Sequence, residues 1–161
     1  MTRDVRERDE LPPADQKFLS NIETHGWVVT KVFRSAGAAG PEFAYSTGIF
    51  HGYQHAEIII FGLDLDIMHK ILDNIGNAVK AGTRFEPGNE YQEIFVRYWC
   101  QFRVVDRANY KPYLGWAIWF YENYDFPVLQ CFWPDREGRY PWDPNCSPDV
   151  IEMQPLLFKP S

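Results

Sequence analysis

Two adjacent segments constrain the fold most tightly. Residues 56–61, Ala-Glu-Ile-Ile-Ile-Phe, end in an apolar run with no polar face. Such a strand needs cover on both sides and so belongs in the middle of a sheet. Gly62 ends it, and Asp64 stands where a helix cap would. Leu65, Met68, Ile71, Leu72, Ile75 and Val79 then recur at helical spacing as one apolar stripe, halted at Gly82. A doubly covered strand followed at once by a one-faced helix predicts a sheet with helices packed against it.

The rest of the chain reads in order as α-β-β-β-α-β-α-β. Phe18, Leu19 and Ile22 mark a first helix over 15–24, entered through Pro13 and left at Gly26. Strands are predicted over 27–33, 42–47, 56–61, 94–105 and 127–132. Residues 50–54 and 85–89 read as turns, and 35–40 as a small-residue loop. A third helix, rich in aromatic residues, is expected over 109–121, interrupted by Pro112 and Gly115. The tail after residue 143 is Pro-rich and irregular, with Leu156, Leu157 and Phe158 docking near its end. Strands in runs joined by short turns predict an α+β domain, a mostly antiparallel sheet with two or three helices packed on it. Residues 1–13 read as a frayed arm and 14–161 as a single domain.

A chain of 161 residues buries roughly 70% of its unfolded surface. It therefore needs neither a metal nor a disulfide to hold a core. The net charge of −6 argues against nucleic-acid binding by bulk electrostatics. One local basic set, Arg97, Arg103, Arg107 and Lys111, reads as solvated strand and loop charge. Cys100 and Cys131 lie inside apolar runs and read as buried thiols, while Cys146 makes the count odd. That usage fits a reducing bacterial cytoplasm. The charged N-terminal residues have no signal-peptide core, and no run approaches the ~18 apolar residues of a membrane helix. A cytoplasmic protein without a membrane partner is the expectation. Six Trp, nine Tyr and twelve Phe exceed what a small core hides. Some should line a groove or a protein-partner surface.

The segment 133–143 concentrates chemistry: two indoles, two prolines, three carboxylates and a phenol. It reads as a rigid loop, the kind of element on which sites are built. Its Trp133, Asp135 and Trp142 are placed in a cleft with two remote stretches. One is the helix-to-strand junction at His25 and Trp27, where the bland reading has His25 shielding helix carbonyls. The other is the strand end at Tyr45, Ser46, Thr47 and Gly48, whose hydroxyls and backbone N–H groups suit an anion, or an ordinary turn. His55 and Glu57 alternate onto one strand face and, with His51, offer a weak metal trio; a neutral, hydrogen-bonded His55 is the simpler reading. His25, His55, Glu57 and Asp135 are the candidates for acid–base catalysis, with Asp135 equally readable as a turn cap. No nucleophile elbow, Walker loop or dinucleotide fingerprint occurs, and no cofactor is expected. A flavin-binding split barrel is suggested only loosely, by strand ends bearing Ser and Thr. The leading expectation is a domain binding a small polar ligand in an aromatic-lined cleft. The alternatives are a hydrolase using His, Asp and Glu, and a protein-interaction or immunity-type module.

Residues 15–27, 41–49, 55–63, 126–130 and the Trp133-Pro-Asp135, Gly138 and Pro141-Trp142 positions come in an order that resembles a bacterial family of unknown function, DUF4262. The resemblance spans about residues 14–143. One departure is Gln54-His55-Ala56-Glu57, where relatives are expected to carry His-Pro-Glu. The resemblance implies no activity.

Overall fold

The computed structural model describes residues 10–34, 40–92, 94–95 and 99–159. The expected arm over 1–9, most of the small-residue loop at 35–39, and Val96, Arg97 and Tyr98 lie outside the described residues.

Helix α1 (Pro13–His25) starts on proline and ends at Gly26, whose φ of 107° is left-handed and whose N–H closes on Ile22 O at 2.8 Å. β1 (Val28–Val32) and β2 (Phe43–Thr47) form an antiparallel pair, Val28 opposite Thr47. A short helix α2 (Ile49–Tyr53) leads to β3 (Glu57–Phe61), antiparallel to β2. Helix α3 (Leu65–Lys80) is capped by Asp64, whose Oδ1 accepts from Asp66 N at 2.9 Å and Ile67 N at 3.3 Å. Then come β4 (Glu90–Tyr91), β5 (Cys100–Val104), a 3-10 turn (Arg107–Asn109), helix α4 (Gly115–Tyr121), β6 (Val128–Phe132) and helix α5 (Pro148–Met153).

The six strands make one sheet in the order β1-β2-β3-β6-β5-β4. Only β3 and β6 run parallel. The expected α+β class and mostly antiparallel sheet are thus present, and β3 sits in the interior as its composition requires. Each face has its own core. On one side, Met68, Leu72, Ile75 and Val79 of α3 meet Ala44, Ile58, Ile60 and Leu129. On the other, Phe18 and Ile22 of α1 and Ala117, Phe120 and Tyr121 of α4 meet Phe43, Tyr45, Ile59, Phe61 and Val128.

Four sequence expectations need correction. Residues 50–54 are not a plain turn, because α2 begins at residue 49. Among the described residues of the long strand expected over 94–105, Cys100–Val104 is strand and Ile94 and Phe95 lie in a bend. Its partner β6 stops at Phe132 before Trp133-Pro134, and proline has no N–H for a ladder. The helix expected over 109–121 divides into the 3-10 turn and α4, with Pro112 in the turn between them. The tail, read as irregular, holds α5 before Leu157 is buried against the second core.

Gly76 lets α3 lie flat on the Trp27 indole. A methyl group built there would stand 2.5 Å from Trp27 Cε2 and 2.6 Å from Cζ2. Glycine-to-alanine inside a helix ordinarily adds up to ~1 kcal/mol of stability. For Gly76→Ala the expected sign is reversed, a loss of ~1–3 kcal/mol from overpacking. Urea unfolding checks this; a midpoint at or above the parent's would mean that the indole simply moves aside.

Candidate functional site

The strand end at residues 45–50 does cradle an anion, and the anion is the protein's own. Gly48 has a φ of 118°, which reverses the chain and turns successive N–H groups inward. Glu57 receives them: Gly48 N at 2.9 Å, Phe50 N at 3.2 Å and Ile49 N at 3.3 Å. Ser46 Oγ donates to the same carboxyl at 2.7 Å, and the Tyr121 hydroxyl donates from α4 in a very short contact. That hydroxyl accepts in turn from His51 N at 3.1 Å. Burial pushes the Glu57 carboxyl up, and the Tyr121 and Ser46 hydroxyls with the backbone N–H groups pull it back. Burial, then the Glu57 charge, pushes the Tyr121 phenol up as well. Tyr45, Thr47 and Gly48, expected to touch a ligand, are all buried. Tyr45 spends its oxygen accepting from Trp116 N at 2.9 Å.

His55 and Glu57 do not act together. The Nδ1 of His55 lies 2.9 Å from the Ala56 carbonyl, and Nε2 accepts from Phe85 N at 3.0 Å. This fixes a neutral ring with a proton on Nδ1 and leaves neither nitrogen for a metal or a substrate. Burial chiefly depresses its pKa. His51 is exposed, with its ring edge-on to Phe120. The trio His51, His55 and Glu57 therefore does not converge. Among the described residues no group of three or more His, Cys, Asp and Glu is disposed to hold a metal.

His25 and Trp27 find a partner that the sequence reading missed. Trp27 Nε1 donates to Asp73 Oδ1 at 2.9 Å, His69 Nε2 lies 3.3 Å from Oδ2, and His25 Nε2 lies 4.0 Å from Oδ1. The signal was there: His69 and Asp73 are four residues apart on α3 and share a face. Both imidazoles are well exposed, and the His25 ring packs on the Trp27 ring with centroids 4.5 Å apart.

The loop at 133–143 sits at the other end of the sheet. Val28, Thr47, Glu57 and Val128 mark one end of the strands; Val32, Phe43, Phe61 and Cys131 mark the other. Trp133 follows β6 at this second end, where its Nε1 donates to Phe61 O at 2.8 Å. A five-residue strand separates the two groups by ~13 Å. The single cleft expected from His25, Thr47, Trp133 and Asp135 is therefore not assembled. Asp135 is a turn organiser: its Oδ1 accepts from Glu137 N and Arg139 N and its Oδ2 from Ser147 N, all at 2.9 Å. The backbone N–H bond from Arg139, with those of Ser147 and Glu137, holds its carboxyl down to about 2.

Trp142 packs on Arg103, a residue that lines a groove over β5. Arg103 on β5 sits in the corner of two rings that meet edge to face with centroids 5.9 Å apart, its guanidinium carbon 4.2 Å from the Trp142 centroid and 4.9 Å from that of Phe158. Among the described residues its buried Nε has no hydrogen-bond partner. Beside it opens a groove of about 660 Å³ whose lining includes Arg103, Arg107, Tyr110, Phe158 and Lys159. The tail builds one wall: Gln130 Nε2 donates to Pro155 O at 2.7 Å and Gln130 Oε1 accepts from Leu157 N at 3.2 Å. Gln154 and Trp133 exchange two further bonds, at 2.8 and 3.0 Å. Of the basic set noted in the sequence, Arg103 and Arg107 meet here; Lys111 is exposed, and Arg97 lies outside the described residues. Arg107 pairs with Asp125 at 2.9 Å, and Asp106 spends an oxygen capping the 3-10 turn.

Two outcomes follow for the buried polar groups. Tyr121→Phe is expected to cost ~1–3 kcal/mol by leaving Glu57 and His51 N short of a partner. Glu57→Gln is expected to cost more, because its amide N–H₂ meets only donors; chemical denaturation of both variants fixes the order. Because the His55 pKa is lowered on folding, its contribution is complete above the ordinary value of 6.5 and is lost as pH falls through the depressed value. The stability difference between the parent and His55→Gln is expected to shrink from neutral pH to about 5. Glu57 is common to both proteins and cancels, so a flat difference would exclude the neutral-ring assignment.

Among the described residues no helix is long and apolar enough to cross a membrane. No curated protein and no solved structure matches the chain. The model of the family described as "Domain of unknown function (DUF4262)" matches residues 21–147, which take in the Glu57 cradle, α3, Arg103 and the Trp133–Trp142 loop. With most of its length inside that match, the chain belongs to the DUF4262 family.

Proposed function

We propose that this domain binds a small anionic molecule, a carboxylate or phosphate compound with an apolar part, in the groove beside Arg103. The observation that carries this reading is the state of that arginine. Its guanidinium sits in the corner where Trp142 and Phe158 meet edge to face and, among the described residues, has no carboxylate partner and no acceptor for its buried Nε. A planar cation fixed by stacking loses little further freedom when it takes a bidentate anion. The groove volume of about 660 Å³ fits a metabolite-sized ligand. Tyr110, Phe158 and Pro87 supply apolar surface for the uncharged part. This is an aromatic-lined cleft for a polar ligand, at a place other than the one expected from the sequence. The hydrolase reading has weaker support, because His55, Glu57 and Asp135 are each committed to internal bonds.

Titration calorimetry with inorganic phosphate and with citrate tests the proposal. Binding is expected, and Arg103→Met, which keeps a long side chain against the rings, should weaken it at least tenfold, about 1.4 kcal/mol. Raising the salt concentration should weaken the parent's binding as well. Equal affinity in the variant, or no binding of either anion to the parent, would overturn the assignment.

A further inference from the structure

The groove beside Arg103 carries more positive charge than one anion uses. Arg103, Arg107 and Lys159 line it, with Asp106 as the acid among its described lining. Arg107 is engaged: its Nη1 pairs with Asp125 Oδ1 at 2.9 Å. Asp106 Oδ1 accepts from Ala108 N at 3.2 Å, and its carboxylate forms no ion pair with the three cations. Among the described residues, Arg103 and Lys159 are left without a carboxylate partner. The two reach the groove from different segments. Arg103 stands on β5 and packs on the Phe158 ring, its guanidinium carbon 4.9 Å from the centroid. Lys159 is exposed and directly follows that ring, where the tail bends. The tail is fastened just before this point. Leu157 N donates to Gln130 Oε1 at 3.2 Å, and Leu157 O accepts from Asp106 N at 2.8 Å and Asn109 Nδ2 at 2.9 Å. Lys159 therefore hangs from an anchored stretch of backbone at the groove's wall.

A single bound anion answers Arg103 alone. A second cation facing the same hollow adds affinity only when the ligand carries a second anionic group. That second contact forms at high effective concentration, because the first has already brought the ligand into the groove. The gain stays modest, since an exposed ammonium is well hydrated and its contact is screened. Elsewhere in the lining, Pro87, Val104 and Tyr110 offer apolar surface to an uncharged linker. Resting on the anion-site reading above, we propose that the groove takes a small molecule with an anionic group at each end of a short apolar linker. One end sits on Arg103 and the other on Lys159.

The test uses the full chain and the short dicarboxylates succinate, glutarate and adipate, each against its own monomethyl ester. At neutral pH the ester keeps the linker and one charge and loses the other. Titration calorimetry at low salt gives the affinity ratio for each pair. At one linker length or more, the diacid is expected to bind roughly fivefold tighter than its ester. That exceeds the factor of about two that a ligand with two equivalent ends gains by statistics alone. Lys159→Met is expected to bring the ratio down to that statistical factor while leaving the ester's affinity unchanged. Arg103→Met should weaken diacid and ester together. A ratio no larger than the statistical factor at every length, or an undiminished ratio in Lys159→Met, would overturn the proposal. In either case, ester binding that disappears in Arg103→Met leaves the single-anion reading standing, so the two failures are told apart. Absence of binding by every diacid and ester overturns the two-ended ligand as well, and inorganic phosphate then decides the single-anion reading on its own.

Discussion

A carboxyl group with no access to water ties together three parts of this fold. Glu57 begins the central strand β3, yet its oxygens are bonded by Ser46 on β2, by the first N–H groups of α2 and by Tyr121 on α4. In a low-dielectric interior such an acid costs several kcal/mol unless its partners are all present. The helix, the neighbouring strand and α4 are therefore placed together or not at all. This also accounts for the short helix α2. It has no side-chain cap of its own; its free N–H groups are satisfied by a residue from the following strand.

The same economy runs through the other polar groups. His55, Asp135, Gln130 and Gln154 are each spent on backbone groups of loops and tail. One end of the sheet is closed by the Glu57 assembly. The other is where the C-terminal segment is fastened across β6, leaving a half-open groove over β5. Arg103 differs from these groups: its charge packs on the Trp142 and Phe158 rings and has no carboxylate partner among the described residues.

Much of the architecture was legible in the sequence because it rests on local signals. The apolar run before Gly62, the stripe from Leu65 to Val79, the cap at Asp64 and the glycine stop at Gly26 all act within a few residues. The residues of the expected cleft were legible as types and not as an assembly. Their grouping depended on strand direction, and the parallel pairing of β3 with β6 sends Trp133 to the far end from Thr47. The strand end at 45–48 could be read as a receptor for an anion or as an ordinary turn, and nothing local says that a carboxyl nine residues on in the same chain takes the Gly48 N–H. Arg103 passed for a solvated strand charge because the rings that clamp it, Trp142 and Phe158, come from much later in the sequence.

The parallel β3–β6 pair has a consequence for how the chain assembles. β1, β2 and β3 form an antiparallel set from consecutive segments, and β4 and β5 form another. Nothing in the ladder joins the two sets except β6, which is translated after both and fits between them. Until Val128 to Phe132 emerges from the ribosome, β3 presents an unpaired edge that is apolar from Ile58 to Phe61. Closing the sheet requires a long-range contact whose loop entropy is met late. The nascent domain thus passes through an interval of exposed strand edge, and the speed of that final insertion sets how long it is vulnerable to self-association.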